Sequence, residues 1–173
     1  FLAPPPEVAD WLVMLAGGIH VDEKILEPSA GTGAIIDAIH RSCKDVVVDC
    51  FELMPENKEL LSKKNNIQIL GDDFTTYNLD LYDKIIANPP FCKNQDIRHV
   101  KRMYEHLKEG GTVAAIIGCH WKLAQEKECV DFRKWLDDVG AKVYDIEEGA
   151  FKQSGTEIET TAVIIQRMSS ENE

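Results

Sequence analysis

Lys84-Ile85-Ile86-Ala87-Asn88-Pro89-Pro90-Phe91 begins as a short buried strand and then stops abruptly. The apolar run ends at Ala87, and two consecutive prolines can neither extend a strand nor enter a helix interior. The backbone there is stiff and lies just past the carboxyl end of a strand. In open α/β sheets that edge is where ligands sit. An amide from Asn88, a rigid carbonyl from Pro89 and the aromatic face of Phe91 would converge on one small volume. Such a grip suits a planar group carrying an –NH2.

Outward from this point the chain alternates strands and helices, the pattern of a parallel sheet with crossover helices. Prolines 4, 5 and 6 open a helix with Val8, Trp11, Leu12 and Leu15 on one face, closed by Gly17-Gly18. Strands are predicted over Lys24 to Glu27, Val46 to Phe51, Ile67 to Leu70, Lys84 to Ala87 and Thr112 to Gly118. Helices are predicted over Ala34 to Arg41, Pro55 to about Lys64, Gln95 to Lys108 (ending at Gly110-Gly111) and Glu126 to Asp138. Ala141 to Glu147 and Ile158 to Gln166 read as two last strands with no helix between them, which pair most simply antiparallel. The expected fold is α/β, a doubly wound, mostly parallel seven-stranded sheet of Rossmann-like form with its last strand antiparallel. One domain spans residues 1–168, followed by a tail over 169–173.

The bulk composition narrows the classes. The chain has 173 residues, is 44% apolar and has no apolar run near the ~20 residues of a membrane span. Five scattered cysteines show no CxxC and no metal-ligand spacing, which favours a reducing cytoplasm and no resident metal. His99 and His106 sit seven apart on one helix, and His20, His40 and His120 are scattered. All five read as solvated or core residues. The net charge of −11 is unusual for a nucleic-acid binder, because phosphate contacts dominate that affinity. Its distribution matters more than its sum. Lys93, Arg98, Lys101 and Arg102 follow the Asn88 motif, and Lys122, Lys127, Arg133 and Lys134 follow a later strand. Lys152 adjoins Phe151. Of these, Lys93, Arg98, Lys122 and Lys152 are the candidate nucleic-acid contacts.

A second group of residues points to a nucleoside. Glu27-Pro28-Ser29-Ala30-Gly31-Thr32-Gly33 joins the first strand to its helix, with glycines that allow a tight turn and close ligand approach. Ile36 stands where a dinucleotide fingerprint wants a third small residue. Glu52, about 20 residues after the glycines, ends the second strand where an acid accepts hydrogen bonds from ribose hydroxyls. Leu53 would lie on an adenine ring. After the third strand, Asp73 would accept from an adenine amine and Phe74 would stack on that ring.

The order of these pieces resembles the adenine-specific (amino) DNA methyltransferases in which the cofactor motif precedes the catalytic one, small phage-encoded forms above all. Pro5-Pro6-Glu7-Val8-Ala9-Asp10 looks like their N-terminal motif, with Pro4 in place of the usual threonine. Glu27 to Gly33, Glu52 and Asp73-Phe74 resemble their contacts to the glycine turn, ribose and adenine. Asn88 to Phe91 resembles their catalytic motif, and Gly149-Ala150-Phe151-Lys152 the late motif whose Phe stacks on a flipped base. The resemblance implies S-adenosylmethionine as cofactor and methyl transfer to the 6-amino group of adenine, in DNA rather than RNA. Pro5, Glu27, Pro28, Ser29, Ala30, Gly31, Gly33, Glu52, Leu53, Asp73, Phe74 and Asn88 would hold the cofactor. Asn88, Pro89, Pro90 and Phe91 would be catalytic, with Phe91 and Phe151 sandwiching the base. The family normally carries a target-recognition domain beyond the last strand, so a partner protein or homo-oligomer is expected to supply recognition. An RNA adenine methyltransferase, a protein glutamine-amide methyltransferase and a cofactor-binding subunit remain open alternatives.

Overall fold

A computed structural model describes residues 3–78, 80–146 and 159–169. Seven strands form one sheet: β1 (Ile25–Glu27), β2 (Val48–Phe51), β3 (Ile67–Gly71), β4 (Tyr82–Ala87), β5 (Leu107–Gly118), β6 (Lys142–Ile146) and β7 (Thr160–Gln166). Their spatial order is β3-β2-β1-β4-β5-β7-β6. The first five strands run parallel, and β7 is antiparallel to both β5 and β6, in keeping with the antiparallel last strand expected from the sequence. From β1 the chain steps outward through β2 and β3. From β4 it steps the other way. The boundary between β1 and β4 is therefore the topological switch point, where an open α/β sheet leaves a crevice at its carboxyl edge.

Five helices cover the sheet: α1 (Pro6–Leu15), α2 (Ala34–Ser42), α3 (Pro55–Ser62), α4 (Gln95–Glu105) and α5 (Lys127–Asp138). Alternation along the strands decides which face each residue feeds, since successive side chains point oppositely. Ala114 and Ile116 of β5 join Ile25, Ile86 and the buried residues of α1, α2 and α3 in one core. Val113, Ala115 and Ile117 join Ile85, Ala87 and the buried residues of α4 and α5 in the other. Both faces of the central strands are thus dry, which is why they read as continuous apolar runs. Removing one such side chain, as in Ile86→Ala, costs about 2–5 kcal/mol through lost transfer energy and the cavity left behind.

Proline at the first helical position starts α1 and α3, where its missing N–H would be unbonded anyway. Gly17 and Gly18 close α1, donating to Met14 and Val13 carbonyls. Lys84 sits within the buried part of β4, and its ammonium reaches the Gly18 carbonyl and, at 2.8 Å, the Glu23 carboxylate. A buried charge survives only when paired in this way.

One predicted boundary is corrected. The helix expected to reach Lys108 ends at Glu105, and Leu107 to Gly111 already belong to β5. Leu107 pairs with Tyr82, then the register shifts so that Lys84 faces Thr112. Gly110-Gly111 fills that irregularity rather than capping a helix. A Cβ on Gly111 would lie 3.0 Å from the Tyr82 and Asp83 carbonyl oxygens, so close strand approach demands glycine.

Candidate functional site at the switch point

Parallel register brings the candidate residues to one edge. Glu27 ends β1 opposite Cys50, Glu52 follows β2, Asp73 follows β3 and Asn88 follows β4. The turn after β1 is held through its backbone N–H groups. Ser29 N–H donates to Glu27 Oε2 at 3.1 Å, Ala30 N–H to the Phe51 carbonyl at 3.0 Å, and Gly33 N–H to the Ala30 carbonyl at 2.9 Å. Gly33 has a φ of +96°, and a Cβ there would stand 2.6 Å from Lys64 Cε. Two separate constraints, chirality and the approach of the chain following α3, thus fix glycine at this position.

Glu52 is the hinge of the cofactor-side residues. Gly31 N–H donates to its Oε1 at 2.9 Å, while Met54 N–H and Asn57 Nδ2 donate to Oε2 at 2.9 and 3.2 Å. The carboxylate therefore binds the glycine turn to the end of β2. Its four acceptor sites leave capacity for one more donor, such as a ribose hydroxyl. Leu53 beside it is 65% exposed and presents a free apolar surface. Glu27 is 1% exposed, and its Oε1 has no partner among the described residues. Burial pushes its carboxyl well above the ordinary carboxylate value, the Ser29 N–H works against this, and the charge of Glu52 adds to it. A buried polar atom without a partner costs free energy and marks a place where a ligand donor would be welcome.

Pro5 and Pro28 are buried, Pro5 at the N-cap of α1. Asp73 is half-buried and accepts from the Thr75 N–H at 3.0 Å and the Thr75 hydroxyl at 2.6 Å. Asp72 is instead drawn into an ion pair with Lys58. Phe74 differs from expectation. Its ring is 1% exposed and packs in the core against Phe51 and, edge-on, His99, so it supports the loop from beneath and offers no open face. Asn88 and Pro89 are buried, and Pro90 and Phe91 half-buried. Phe91 rests on Gly118, whose Cβ position is 3.7 Å from the ring. Phe151 and Lys152, with Gly149 and Ala150, lie outside the described residues.

Beside Phe91 opens a cavity of about 370 Å³, lined also by Lys93, Asp96, Gly118, His120 and Trp121. Sequence reasoning did not single out Asp96. It is buried, and its carboxylate accepts from Gly118 N–H at 3.0 Å and Ile97 N–H at 3.0 Å. This ties the end of β5 to the start of α4, and the Asn88–Phe91 loop lies between them. Burial pushes its carboxyl up against the opposing effect of those N–H groups. Two of the candidate nucleic-acid contacts are neutralised within the chain. Arg98 forms a two-pronged pair with Glu128 at 2.6 and 2.9 Å, and Lys122 pairs with Asp145 at 2.6 Å. Lys93 is exposed, and among the described residues no carboxylate pairs with it. The clustering of basic residues in sequence did not reveal these acidic partners, which come from other elements.

Comparison with solved structures then places the fold. A coclaurine N-methyltransferase bound to S-adenosylhomocysteine superposes with a TM-score of 0.71 at 12% identity, covering 93% of this chain and 72% of the other. The fold is that of the S-adenosylmethionine-dependent methyltransferases. A modification subunit assigned to a type I restriction enzyme of Vibrio vulnificus YJ016 shares this methyltransferase fold with a TM-score of 0.74 at 16% identity, covering 96% of this chain and 44% of the other. No family model matches the sequence. Two curated viral proteins are similar in sequence. Modification methylase CviBIII of Paramecium bursaria Chlorella virus NC1A is 32% identical over 113 residues, 54% of this chain and 30% of the methylase. Type II methyltransferase M.CvrRI of Paramecium bursaria Chlorella virus XZ-6E is 35% identical over 132 residues, 65% of this chain and 34% of that enzyme. The chain therefore spans about a third of the length of these relatives. A release factor glutamine methyltransferase of Clostridium acetobutylicum is 21% identical over 131 residues. Among the described residues no helix is long and apolar enough to cross a membrane.

Proposed function

We propose that this chain is the catalytic region of an S-adenosylmethionine-dependent amino-methyltransferase that acts on the exocyclic 6-amino group of adenine in DNA. One observation carries the reading. The Asn88-Pro89-Pro90-Phe91 loop follows β4, and the Gly31–Glu52 pair joins the ends of β1 and β2, both at the carboxyl edge beside the β1–β4 switch point, which supports reading the first as an amine grip and the second as a nucleoside cradle. The similarity to a viral modification methylase and a viral type II methyltransferase supports DNA as the substrate class.

The residues present fit the cofactor. Glu52 would accept a ribose hydroxyl, Leu53 would cover one adenine face, Asp73 would accept from the adenine amine, and the glycine turn with Glu27 and Pro5 would border the methionine end. When bound, S-adenosylmethionine supplies a methyl group on an activated sulfonium, whose S–C electron pair stays with sulfur. The chain's own residues then orient and stabilise. The exocyclic nitrogen is a poor nucleophile, because its lone pair is delocalised into the ring. The Asn88 side-chain oxygen and the Pro89 carbonyl would each accept one amine hydrogen. That favours a tetrahedral nitrogen and stabilises the positive charge that develops as its lone pair forms the new N–C bond. The proton leaves afterwards to solvent, and no strong base is needed. Phe91 would stack on a base withdrawn from its duplex, a step that costs a few kcal/mol.

Tritium transfer from labelled S-adenosylmethionine to separate DNA, RNA and protein pools tests the assignment. Label in DNA, recovered as N6-methyladenine and lost in Asn88→Ala, is the expected result. The similarity to a glutamine methyltransferase and the internally neutralised Arg98 and Lys122 favour one second reading, a protein amide substrate, and label in the protein pool alone would establish it.

A further inference from the structure

Sequence spacing revealed no metal ligands, yet the fold gathers three donors of different chemistry at the edge of the Phe91 cavity. His120, Glu126 and Cys129 each offer a ligand atom, and these atoms all lie within 4.8 Å of one another. His120 belongs to the short 3-10 helix after β5, Glu126 is the N-cap of α5, and Cys129 lies in the first turn of α5. Three-residue spacing puts Glu126 and Cys129 on one face of that turn. His120 reaches them from the preceding loop.

We propose that His120, Glu126 and Cys129 bind a borderline-soft divalent metal ion, with Zn2+ the ion their donor set suits best. A nitrogen, an oxygen and a sulfur are the ligand types this ion takes, in tetrahedral geometry. At Zn–N and Zn–O lengths of ~2.0 Å and a Zn–S length of ~2.3 Å, tetrahedral donor pairs stand ~3.3–3.5 Å apart. Here His120 Nε2 is 2.7 Å from Glu126 Oε1, and Cys129 Sγ is 4.0 Å from Glu126 Oε2. Small side-chain rotations bring both distances to the required value. Asn94 supplies the orienting contact such sites carry. Its Nδ2 donates to Glu126 Oε2 at 2.9 Å, and its Oδ1 stands 3.8 Å from Cys129 Sγ.

The exposure gradient fits an ion at a boundary. Cys129 is buried, whereas His120 and Glu126 are exposed. The ion would keep its fourth position toward solvent and the cavity. The cysteine is not held in a purely apolar setting, because its sulfur faces a carboxylate and an amide. A cysteine binds such an ion as its thiolate, so the metal displaces a proton when it binds. Since Asn94 follows the Asn88–Phe91 loop closely in sequence, a bound ion would tie that segment to the β5–α5 connection. This inference rests on the donor atoms alone and stands or falls separately from the methyl-transfer reading.

Cobalt(II) and zinc titrations of the full chain, freed of metal by chelator, provide the test. One equivalent of Co2+ should give a thiolate-to-cobalt charge-transfer band in the near ultraviolet, displaced by Zn2+. Cys129→Ser should abolish the band. His120→Ala and Glu126→Gln, which alter exposed side chains, should each weaken Zn2+ affinity in calorimetry by at least about tenfold. A band that persists in Cys129→Ser would assign the ion to another cysteine. That result, unchanged affinity in the two exposed variants, or no binding to the parent chain would each overturn the proposal.

Discussion

Replacing Gly33 by alanine probes how the turn beneath the candidate site is held. Gly33 has a φ of +96°, and an ideal Cβ would stand 2.6 Å from Lys64 Cε and 3.2 Å from Leu61 Cδ2. Forcing an L-residue into that backbone region costs about 1–2 kcal/mol. The Lys64 side chain can swing aside, but it then gives up its 2.9 Å pair with Asp37, worth up to about 1 kcal/mol at a partly exposed site. Leu61 is fully buried, and displacing it adds about 1 kcal/mol. The sum is roughly 2–4 kcal/mol, and in a chain of this size each kcal/mol lowers Tm by about 2–4 °C. Gly33→Ala should therefore melt about 4–16 °C below the parent in circular dichroism, a range set by the same conversion. Gly140→Ala is the control, with a φ of +68° and nothing within 4 Å of the added Cβ. It carries the strain alone and should lose about 2–8 °C. Lys64→Ala added to Gly33→Ala should lower Tm by less than the two single changes summed, because both lose the same Lys64–Asp37 pair, as expected of neighbours that share a contact. Equal melting temperatures for the two alanine variants would refute the packing argument. A Gly33→Ala protein as stable as the parent would refute the backbone argument as well.

Three further outcomes follow from the site. Glu52→Gln should weaken S-adenosylhomocysteine roughly 10–100-fold in calorimetry, the loss expected when a charged acceptor of a ribose hydroxyl is neutralised; an unchanged Kd would remove Glu52 from the cofactor contacts. Asn88→Ala should retain S-adenosylhomocysteine affinity while methyl transfer falls about 10²–10³-fold, as for loss of one preorganised hydrogen-bond partner; loss of both together would contradict its role as an amine acceptor. Glu27 has a folded-state pKa above its ordinary 4.5, raised chiefly by burial, so the folded state binds more protons and stability falls as pH rises from 4.5 through the folded value. Glu27→Gln should flatten that decline, gaining stability relative to the parent at pH values above the ordinary carboxylate range, and parallel pH–stability profiles for the two proteins would count against a raised Glu27 pKa.

The alternation of apolar runs with glycine, proline and helix-forming segments was enough to fix seven strands, their crossover helices and the antiparallel end, because buried strands and amphipathic helices leave distinct periodicities. Parallel strands share one carboxyl edge, so residues after β1, β2 and β4 were bound to meet there whatever the details. Other features depended on contacts that sequence order does not encode. Phe74 follows an acid in a loop, as a stacking residue would, but the space beneath β2 and β3 draws it into the core beside Phe51. Gly110-Gly111 looks like a helix stop and proves to be a strand irregularity, because only the register of β4 against β5 decides where Leu107 pairs. Arg98 and Lys122 read as free positive charge until distant Glu128 and Asp145 are brought beside them. His120, Glu126 and Cys129 become neighbours only once the 3-10 turn folds back over the start of α5. Periodicity is a local property that the chain states outright, whereas charge pairing and donor clustering are set by which surfaces the core packs together.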